Sequence, residues 1–218
     1  MKKTAIILGA SGATGTEILN VLLDDNRYEN IKLFSRKKSN RTNPKIEEFV
    51  GDLFELEKFE NEFTADEVYC CIGTTNKQTP NKEVYKKIDY GIPIAAAKLC
   101  KKNRIPTFLV MSSLGANSSS KTFYTKTKGQ MENAVLALEI KHTYIFRPSL
   151  LLRKTKESRL LEKVAGVVLK IIGVLLIGNL KKYRAIETIV VAKSMIIVAN
   201  KKPEKQLFLS DAIQELSI

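Results

Sequence analysis

The sequence contains no tryptophan, one histidine and three cysteines, and these shortages argue against several kinds of site. Because His142 stands alone, neither a histidine-containing metal cluster nor a Ser–His–Asp triad is indicated. Cys70, Cys71 and Cys100 lack metal-ligand spacing and form no CxxC motif. This pattern favours reduced, buried thiols over a disulfide. We therefore expect no metal site.

The sequence also lacks an apolar run long enough to cross a membrane. A spanning helix needs about 20 apolar residues, whereas the stretch from Val164 to Gly178 is shorter and is interrupted by Lys170. The apolar start of the chain ends at Gly9, short of the roughly 7–15 residues typical of a signal-peptide core. We therefore expect a soluble, cytoplasmic protein without a transmembrane segment.

Acidic residues are few relative to basic ones, and the formal net charge is +13. Such a charge attracts anionic ligands and is found in many nucleic-acid-binding proteins. Here, however, the basic residues occur in small scattered groups without the aromatic residues of an RNA-binding sheet. We therefore expect a small-molecule substrate and no nucleic acid partner.

Apolar runs of strand length alternate along the chain with segments of helix length. The predicted strands are Thr4–Leu8, Ile31–Ser35, Glu47–Val50, Glu67–Ile72, Phe108–Met111 and Thr143–Phe146. The predicted helices are Thr14–Asp25, Lys82–Lys102 (with a kink or late start at Pro93) and Thr125–Leu138. Continuous apolar strands alternating with helices indicate a parallel sheet covered on both faces. We therefore predict an α/β fold, a doubly wound parallel sheet of the Rossmann type, in which residues 1–218 form a single domain.

The part from about residue 149 to 218 is predicted to be a small, mainly helical substrate-side region. One of its segments carries apolar residues at helical spacing: Leu160, Leu161, Val164, Val167, Val168, Ile171, Ile172 and Leu175. Such a helix is expected to pack on the sheet or to cover the substrate cleft. The alternative is a contact with a second copy of the chain, a protein partner or a membrane surface.

A glycine-rich turn follows the first predicted strand, with the order Gly9-Ala10-Ser11-Gly12-Ala13-Thr14-Gly15. Gly9 permits a sharp exit from the strand, Gly12 lets the backbone approach a diphosphate, and Gly15 lets the helix lie close to the sheet. The positive end of the following helix then faces the phosphates. This turn predicts a dinucleotide site.

The residues after the second and third predicted strands bear on the choice of dinucleotide. NAD sites usually place a carboxylate about 20 residues beyond the glycine turn, whereas this chain has Arg36 and Lys37 there. Both side chains are able to pair with a 2′-phosphate, so we predict NADP, with NAD as the alternative. Asp52 and Leu53 are expected to bracket the adenine, although Asp52 also suits the cap of a following helix.

A candidate catalytic set follows the fifth predicted strand. Tyr124 and Lys128 are four residues apart and so share one face of a helix. A nearby ammonium stabilises the phenolate, which makes the phenol a usable proton donor. Ser113 is able to hydrogen-bond the carbonyl group that receives the hydride. The alternative is an ordinary amphipathic helix with Tyr124 packed on the sheet.

The segments GASGATG, CCIGTT, SSLGA, YTKTKGQME and FRPSLLL, in this order, resemble the atypical short-chain dehydrogenases/reductases. The resemblance is to the Tat-interacting-protein-like (NmrA-like) oxidoreductase branch, which is related to the NAD-dependent epimerase/dehydratase group. It implies a diphosphate site at Ser11–Thr14 and a 2′-phosphate site at Arg36 and Lys37. The further cofactor contacts that it implies are Ile72, Gly73, Tyr124, Lys128, Pro148, Leu151 and Arg159.

Together these patterns predict an NADP-dependent oxidoreductase that transfers hydride between nicotinamide and a small carbonyl or alcohol. The family also includes members that bind the cofactor but act as regulators, so a non-catalytic NADP(H)-binding protein or scaffold is the alternative. A nucleotide-sugar epimerase or dehydratase is disfavoured, because the short C-terminal part leaves little room for a larger substrate.

Overall fold

The computed structural model describes residues 2–152, 176 and 178–217. The strands in these parts of the chain are β1 (Lys3–Leu8), β2 (Tyr28–Ser35), β3 (Ile46–Val50), β4 (Glu67–Cys70), β5 (Thr107–Met111), β6 (His142–Arg147), β7 (Leu151–Leu152), β8 (Ile186–Glu187) and β9 (Leu207–Leu209). A seven-stranded sheet has the order β3-β2-β1-β4-β5-β6-β9, and every neighbouring pair in it is parallel. The predicted doubly wound parallel sheet is confirmed.

The α-helices within the described ranges are α1 (Ala13–Asp24), α2 (Lys82–Lys86), α3 (Ile92–Lys102), α4 (Phe123–Leu136), α5 (Thr188–Lys201) and α6 (Ser210–Leu216). Two 3₁₀ segments cover Leu53–Phe59 and Gly178–Tyr183, and a π-helical turn covers Lys87–Gly91 between α2 and α3. None of the helices described is long and apolar enough to cross a membrane.

The helices cover both faces of the sheet because the strand side chains alternate. In β1, Ala5 and Ile7 belong to the core cluster that contains α1 and α5 residues, and Ile6 and Leu8 belong to the cluster on the other face. All four side chains are fully buried. The second cluster is completed by α3, α4 and the first 3₁₀ segment. A strand buried on both faces reads as a continuous apolar run, which is why the sequence reveals it.

The C-terminal part contributes to the main sheet as well as to the region beyond it. The β9 strand pairs with the end of β6 through Ile145, Phe146 and Arg147, while α5 packs beside α1. Beyond the sheet, β7 and β8 form a separate parallel pair. The predicted apolar helix between Leu160 and Leu175 lies outside the described residues, and so does Arg159.

The helix predicted over 82–102 runs through this whole range, and Asn81 caps it by accepting hydrogen bonds from the amides of Glu83 and Val84. The disturbance expected at Pro93 takes the form of the π-helical turn immediately before α3. Proline has no N–H, so the carbonyl of Asp89 receives no helical hydrogen bond from position 93. A wider turn at this point of the helix is therefore understandable.

Candidate active site

The glycine turn between β1 and α1 is too tightly packed for side chains at two of its glycines. Gly9 has a φ of +86°, and a Cβ there would lie 2.9 Å from the carbonyl oxygen of Cys71. A Cβ on Gly15 would lie only 2.1 Å from the carbonyl oxygen of Gly9. The turn is held by hydrogen bonds from the Gly12 amide to the Gly9 carbonyl (2.9 Å) and from Thr16 Oγ1 to the Ala10 carbonyl (2.9 Å).

The first turn of α1 is open to an anion. Gly12 is the N-cap residue, no side chain caps the helix, and its first turn holds no acidic residue. Ser11 is exposed and Ala13 is half-buried, whereas Thr14 is buried. Amides without a capping side chain at a helix N-terminus are suited to a phosphate group.

Arg36 and Lys37 follow β2, the strand that pairs with β1 in the sheet. Both side chains are exposed, and Ser35 Oγ donates to the Lys37 carbonyl at 2.6 Å. Because the carboxyl ends of parallel neighbours meet at one edge, these two cations lie beside the edge that carries the glycine turn.

Asp52 and Leu53 follow β3 and have two different surroundings. The Asp52 carboxylate accepts a hydrogen bond from the Phe54 amide at 2.9 Å and caps the 3₁₀ segment. Leu53 is buried in the core. Of the two functions considered for Asp52, the structure shows the cap, and the adenine contact stays a prediction.

Two buried serines follow the end of β5. Ser112 and Ser113 are buried, and neither Oγ atom has a hydrogen-bond partner among the described residues. The backbone here is joined to the next strand, because the Leu114 amide donates to the Pro148 carbonyl at 2.9 Å. Buried hydroxyls normally find partners, so this strand end is suited to receive a polar ligand. Leu151, in β7, is half-buried.

Lys128 lies deep in the site, and Tyr124 lies one turn before it on α4. Lys128 is only 4% exposed, and its Nζ donates to the Met111 carbonyl at the end of β5 (3.3 Å). Tyr124 is half-buried, with its ring edge-on to Tyr85 at 6.3 Å between centroids. The structure therefore puts the lysine at the same strand end as the serine pair.

The loop between the serines and α4 is fixed by close packing against the helix. The Asn117 amide donates to the Thr125 carbonyl at 3.0 Å. A Cβ on Gly129 would lie 2.2 Å from the Ser118 nitrogen, so this loop touches the helix backbone itself. The position of Ser113 relative to α4 is thereby restrained.

Asp89 is a site residue that the sequence interpretation missed. It lies in the π-helical turn and is fully buried. Its Oδ1 forms an ion pair with Lys128 Nζ at 2.8 Å, and its Oδ2 accepts a hydrogen bond from the Thr74 amide at 2.8 Å. A sequence signal exists: Asp89 shares helical spacing with the apolar positions Tyr85, Ile92 and Ala96, and an acid on a buried face needs a partner.

A continuous series of contacts joins these parts. The loop after β4 touches the glycine turn through Cys71 and Gly9, and it touches the ion pair through Gly73, where a Cβ would lie 3.5 Å from Asp89 Oδ1 and 3.7 Å from Lys128 Nζ. Ile72, between them, is half-buried and borders the same loop. The glycine turn and the candidate catalytic helix therefore lie along one stretch of the carboxyl edge of the sheet, joined by the loop after β4, and we call this stretch the candidate cleft.

Burial disfavours the thiolate form of the two cysteines beside this cleft, Cys70 and Cys71, because it raises the pKa of both thiols. All three cysteines are free, and burial raises the pKa of the Cys70 thiol to about 12, against an opposing effect of Lys128. Within the described ranges, no group of three or more His, Cys, Asp or Glu side chains is placed to hold a metal ion.

A parallel sheet ordered in this way, with a glycine turn and an open helix N-terminus at its first βα corner, defines a dinucleotide-binding Rossmann protein. A family model described as NAD(P)H-binding matches residues 9–168. The chain belongs to this NAD(P)H-binding family and, with its relatives, to the NmrA-like branch related to short-chain dehydrogenases that its motifs predicted.

Two curated relatives illustrate this branch. The "Protein FMP52, mitochondrial" of Debaryomyces hansenii is 36% identical over 159 residues, which cover 72% of this chain and 70% of that protein. The "Protein HTATIP2" of Rattus norvegicus is 31% identical over 161 residues, covering 72% of this chain and 66% of that protein.

Solved structures share the fold at low identity. The Bordetella bronchiseptica enzyme WbmH in complex with NAD+ has a TM-score of 0.71 at 12% identity, covering 100% of this chain and 80% of that one. The UDP-glucose 4-epimerase of Thermotoga maritima has a TM-score of 0.65 at 13% identity, covering 89% and 72%. For the WbmG enzyme with NAD, the TM-score is 0.59 at 12% identity, and the match covers 69% of this chain and 54% of that one. These likenesses concern the fold alone.

One expectation from the sequence is wrong. The cytoplasmic location rested on the lack of a signal peptide, but several fungal relatives are named as mitochondrial proteins. The secretory-signal pattern bears only on export and does not distinguish one compartment inside the cell from another.

Proposed function

We propose that this protein is an NADP-dependent oxidoreductase that transfers hydride between nicotinamide and a small carbonyl or alcohol. The observation that carries the proposal is the buried Lys128 ammonium, held at the end of β5 by the Met111 carbonyl (3.3 Å) and one helical turn from Tyr124. A nicotinamide cofactor supplies or accepts the hydride when it is bound. The protein's own groups manage the proton and the orientation of the substrate.

Each side chain has a distinct task in this proposal. The Tyr124 hydroxyl donates a proton to the substrate oxygen as the carbonyl is reduced. The Lys128 ammonium has three N–H donors; it donates one hydrogen bond to the Met111 carbonyl, and the Asp89 carboxylate lies 2.8 Å away as its ion-pair partner. The remaining N–H groups would serve the tyrosine oxygen or a cofactor ribose hydroxyl. The Ser113 hydroxyl, which has no partner among the described residues, donates to the substrate oxygen.

The residues present fit a dinucleotide phosphate. The uncapped amides at the start of α1 would hold the diphosphate, because a helix N-terminus and its free N–H groups attract anions. The exposed Arg36 and Lys37 would hold the 2′-phosphate that distinguishes NADP from NAD.

The activity is tested by giving the purified protein NADPH and a panel of aldehydes and ketones. We expect turnover, and we expect Tyr124→Phe to reduce it about 100-fold or more while the affinity for NADPH changes little. Tyr144→Phe is the matched control, since that buried hydroxyl donates to the Pro203 carbonyl away from the cleft. Equal losses in the two variants would contradict the role of Tyr124.

The coenzyme preference has its own test. The double change Arg36→Ala with Lys37→Ala should weaken NADPH binding by about tenfold or more, since a hydrogen bond to a charged group contributes about 1.5–3 kcal/mol. Binding of NADH should change little. The double change Lys201→Ala with Lys202→Ala alters the net charge equally at an exposed helix end and serves as the control. Equal weakening of NADPH and NADH would contradict the assignment.

A non-catalytic NADP(H)-binding regulator is the second candidate, and one observation favours it. The Lys128 charge is compensated by the buried Asp89 carboxylate at 2.8 Å, as it would be if the lysine only stabilised the fold. This candidate predicts NADPH binding without turnover of any substrate in the panel.

A further inference from the structure

The ion pair between Asp89 and Lys128 joins three separate pieces of the chain. Asp89 comes from the π-helical turn, Lys128 from α4, and the Thr74 amide that donates to Asp89 from the loop after β4. Asp89 is fully buried and Lys128 is 4% exposed. Both charges therefore act in a medium where electrostatic interactions are stronger than in water.

Burial of two charges is costly unless each one is well matched. Each Asp89 oxygen lies 2.8 Å from a different group: Oδ1 forms an ion pair with Lys128 Nζ outside hydrogen-bond geometry, and Oδ2 accepts a hydrogen bond from the Thr74 amide. With the Met111 carbonyl accepting a hydrogen bond from Nζ, the ammonium is held between the Asp89 carboxylate and the end of β5.

We propose that Asp89 is a positioning residue which orients Lys128 and offsets part of its positive charge at Tyr124. The inference rests on the proposed function, since it concerns the same tyrosine and lysine. An isolated ammonium favours the phenolate strongly, whereas an ammonium paired with a carboxylate acts on a neighbour as a weaker dipole. Asp89 thereby determines how readily Tyr124 gives up its proton.

Other titratable groups described around the pair include Cys70, Cys71 and Tyr85. Cys70 on β4 is affected by both charges in opposite senses: Lys128 lowers the pKa of its thiol and Asp89 raises it, although burial has the largest effect. Burial raises the pKa of the Cys71 thiol as well, and the Lys128 charge opposes this effect. Burial, and then the Asp89 charge and Tyr124, raise the pKa of Tyr85. A titration of Tyr124 therefore has to be separated from those of its neighbours.

The test is a spectrophotometric titration of tyrosine ionisation in the cofactor-free protein. Each variant is measured with and without Tyr124→Phe, so that the difference isolates the Tyr124 transition. We expect Asp89→Asn to move its midpoint down by about one pH unit, the low end of the effect of one nearby charge. Lys128→Met should move it up, and the variant with both changes should return close to the wild-type midpoint.

Glu132→Gln is the matched control, because Glu132 is also buried, lies on the same helix and is paired with a different partner, Arg147. A purely structural role for Asp89 predicts a lower melting temperature in Asp89→Asn with a midpoint shifted no more than in Glu132→Gln, and that result would overturn the proposal. If Asp89→Asn does not fold, Lys128→Met is compared with the double variant. Removing Asp89 in that background must again lower the midpoint.

Failure of this inference is distinguishable from failure of the proposed function. Calorimetry of the wild-type protein with NADPH and the turnover assay test the function and do not depend on the Tyr124 midpoint. If the protein binds NADPH and turns over a substrate but the Tyr124 midpoint does not move in Asp89→Asn, only the role of Asp89 is refuted. If the Tyr124 midpoints move as expected but the protein does not bind NADPH, only the proposed function is refuted.

Discussion

Alanine substitutions at Gly15 and Gly12 should separate the two functions of the glycine turn. The Cβ of an alanine at position 15 would lie 2.1 Å from the Gly9 carbonyl oxygen and 2.8 Å from the Gly9 carbonyl carbon. These are backbone atoms on both sides, so α1 would have to move away from β1 by about 1 Å. Overpacking of this kind costs about 1–3 kcal/mol.

At Gly12 the same substitution meets much less resistance from the protein. The added Cβ would lie 3.2 Å from the Gly9 carbonyl oxygen, and the φ of −77° suits alanine. The stability should therefore stay within about 1 kcal/mol of the wild type. The methyl group would nevertheless occupy the face of the turn that a diphosphate approaches, so NADPH affinity should fall about tenfold or more, which corresponds to 1.4 kcal/mol.

The assays are thermal denaturation of the cofactor-free protein and calorimetric titration with NADPH. For a chain of this size, about 2–4 °C of melting temperature corresponds to 1 kcal/mol, so a cost of about 1–3 kcal/mol should lower the melting temperature of Gly15→Ala by about 2–12 °C. Gly12→Ala should melt close to the wild type and bind NADPH poorly. Wild-type affinity in Gly12→Ala would refute the assignment of the diphosphate to this turn.

Three further predictions concern the frame around the cleft. Glu67→Gln should lower the free energy of unfolding by about 2 kcal/mol, as measured by urea denaturation. The buried Glu67 carboxylate accepts hydrogen bonds from the hydroxyls of Tyr28 (2.6 Å) and Tyr69 (2.5 Å) and forms an ion pair with Lys3 (3.1 Å). A loss of NADPH affinity at unchanged stability would contradict this prediction. Burial, then Lys202 and Lys141, lower the pKa of His142, so the unfolded chain takes up the proton more readily. The contribution of neutral His142 to the free energy of unfolding should be fully present above about pH 6.5 and should decrease as the pH falls below that value. Urea midpoints of His142→Gln across this window should show a smaller pH slope than the wild type, and an equal slope would disprove the effect. Gly129→Ala should lose about 1–3 kcal/mol of stability and much of any turnover, since its Cβ would lie 2.2 Å from the Ser118 nitrogen. Gly91→Ala should change neither, because no described atom would lie nearer than 4.0 Å to its Cβ. Similar behaviour of the two variants would count against the packing argument.

The parts of the fold that depend on local patterns could be predicted from the sequence. Strands buried on both faces appear as continuous apolar runs, and the glycine turn contains glycines where the backbone needs them, at Gly9 for its φ of +86° and at Gly15 for its contact with Gly9. The short β9 strand (Leu207–Leu209) was missed because three residues carry too little pattern to be distinguished from a loop. Strand β4 ends at Cys70, two residues before the predicted end.

Within the candidate site, the sequence reveals neighbours along one element but not partners across elements. The four-residue spacing of Tyr124 and Lys128 puts them on one helical face. The partner of Lys128 is Asp89, 39 positions earlier in the numbering, and no local pattern specifies that pairing. Arg36 and Lys37 were identified by type and position, but exposed side chains do not show what they bind.

The most direct test of the central claim is a crystal structure of the protein with NADPH. The diphosphate is expected within hydrogen-bond distance of the amides of Gly12, Ala13 and Thr14, with the 2′-phosphate at Arg36 and Lys37. A nucleotide bound elsewhere, with no phosphate oxygen at the start of α1, would contradict the account.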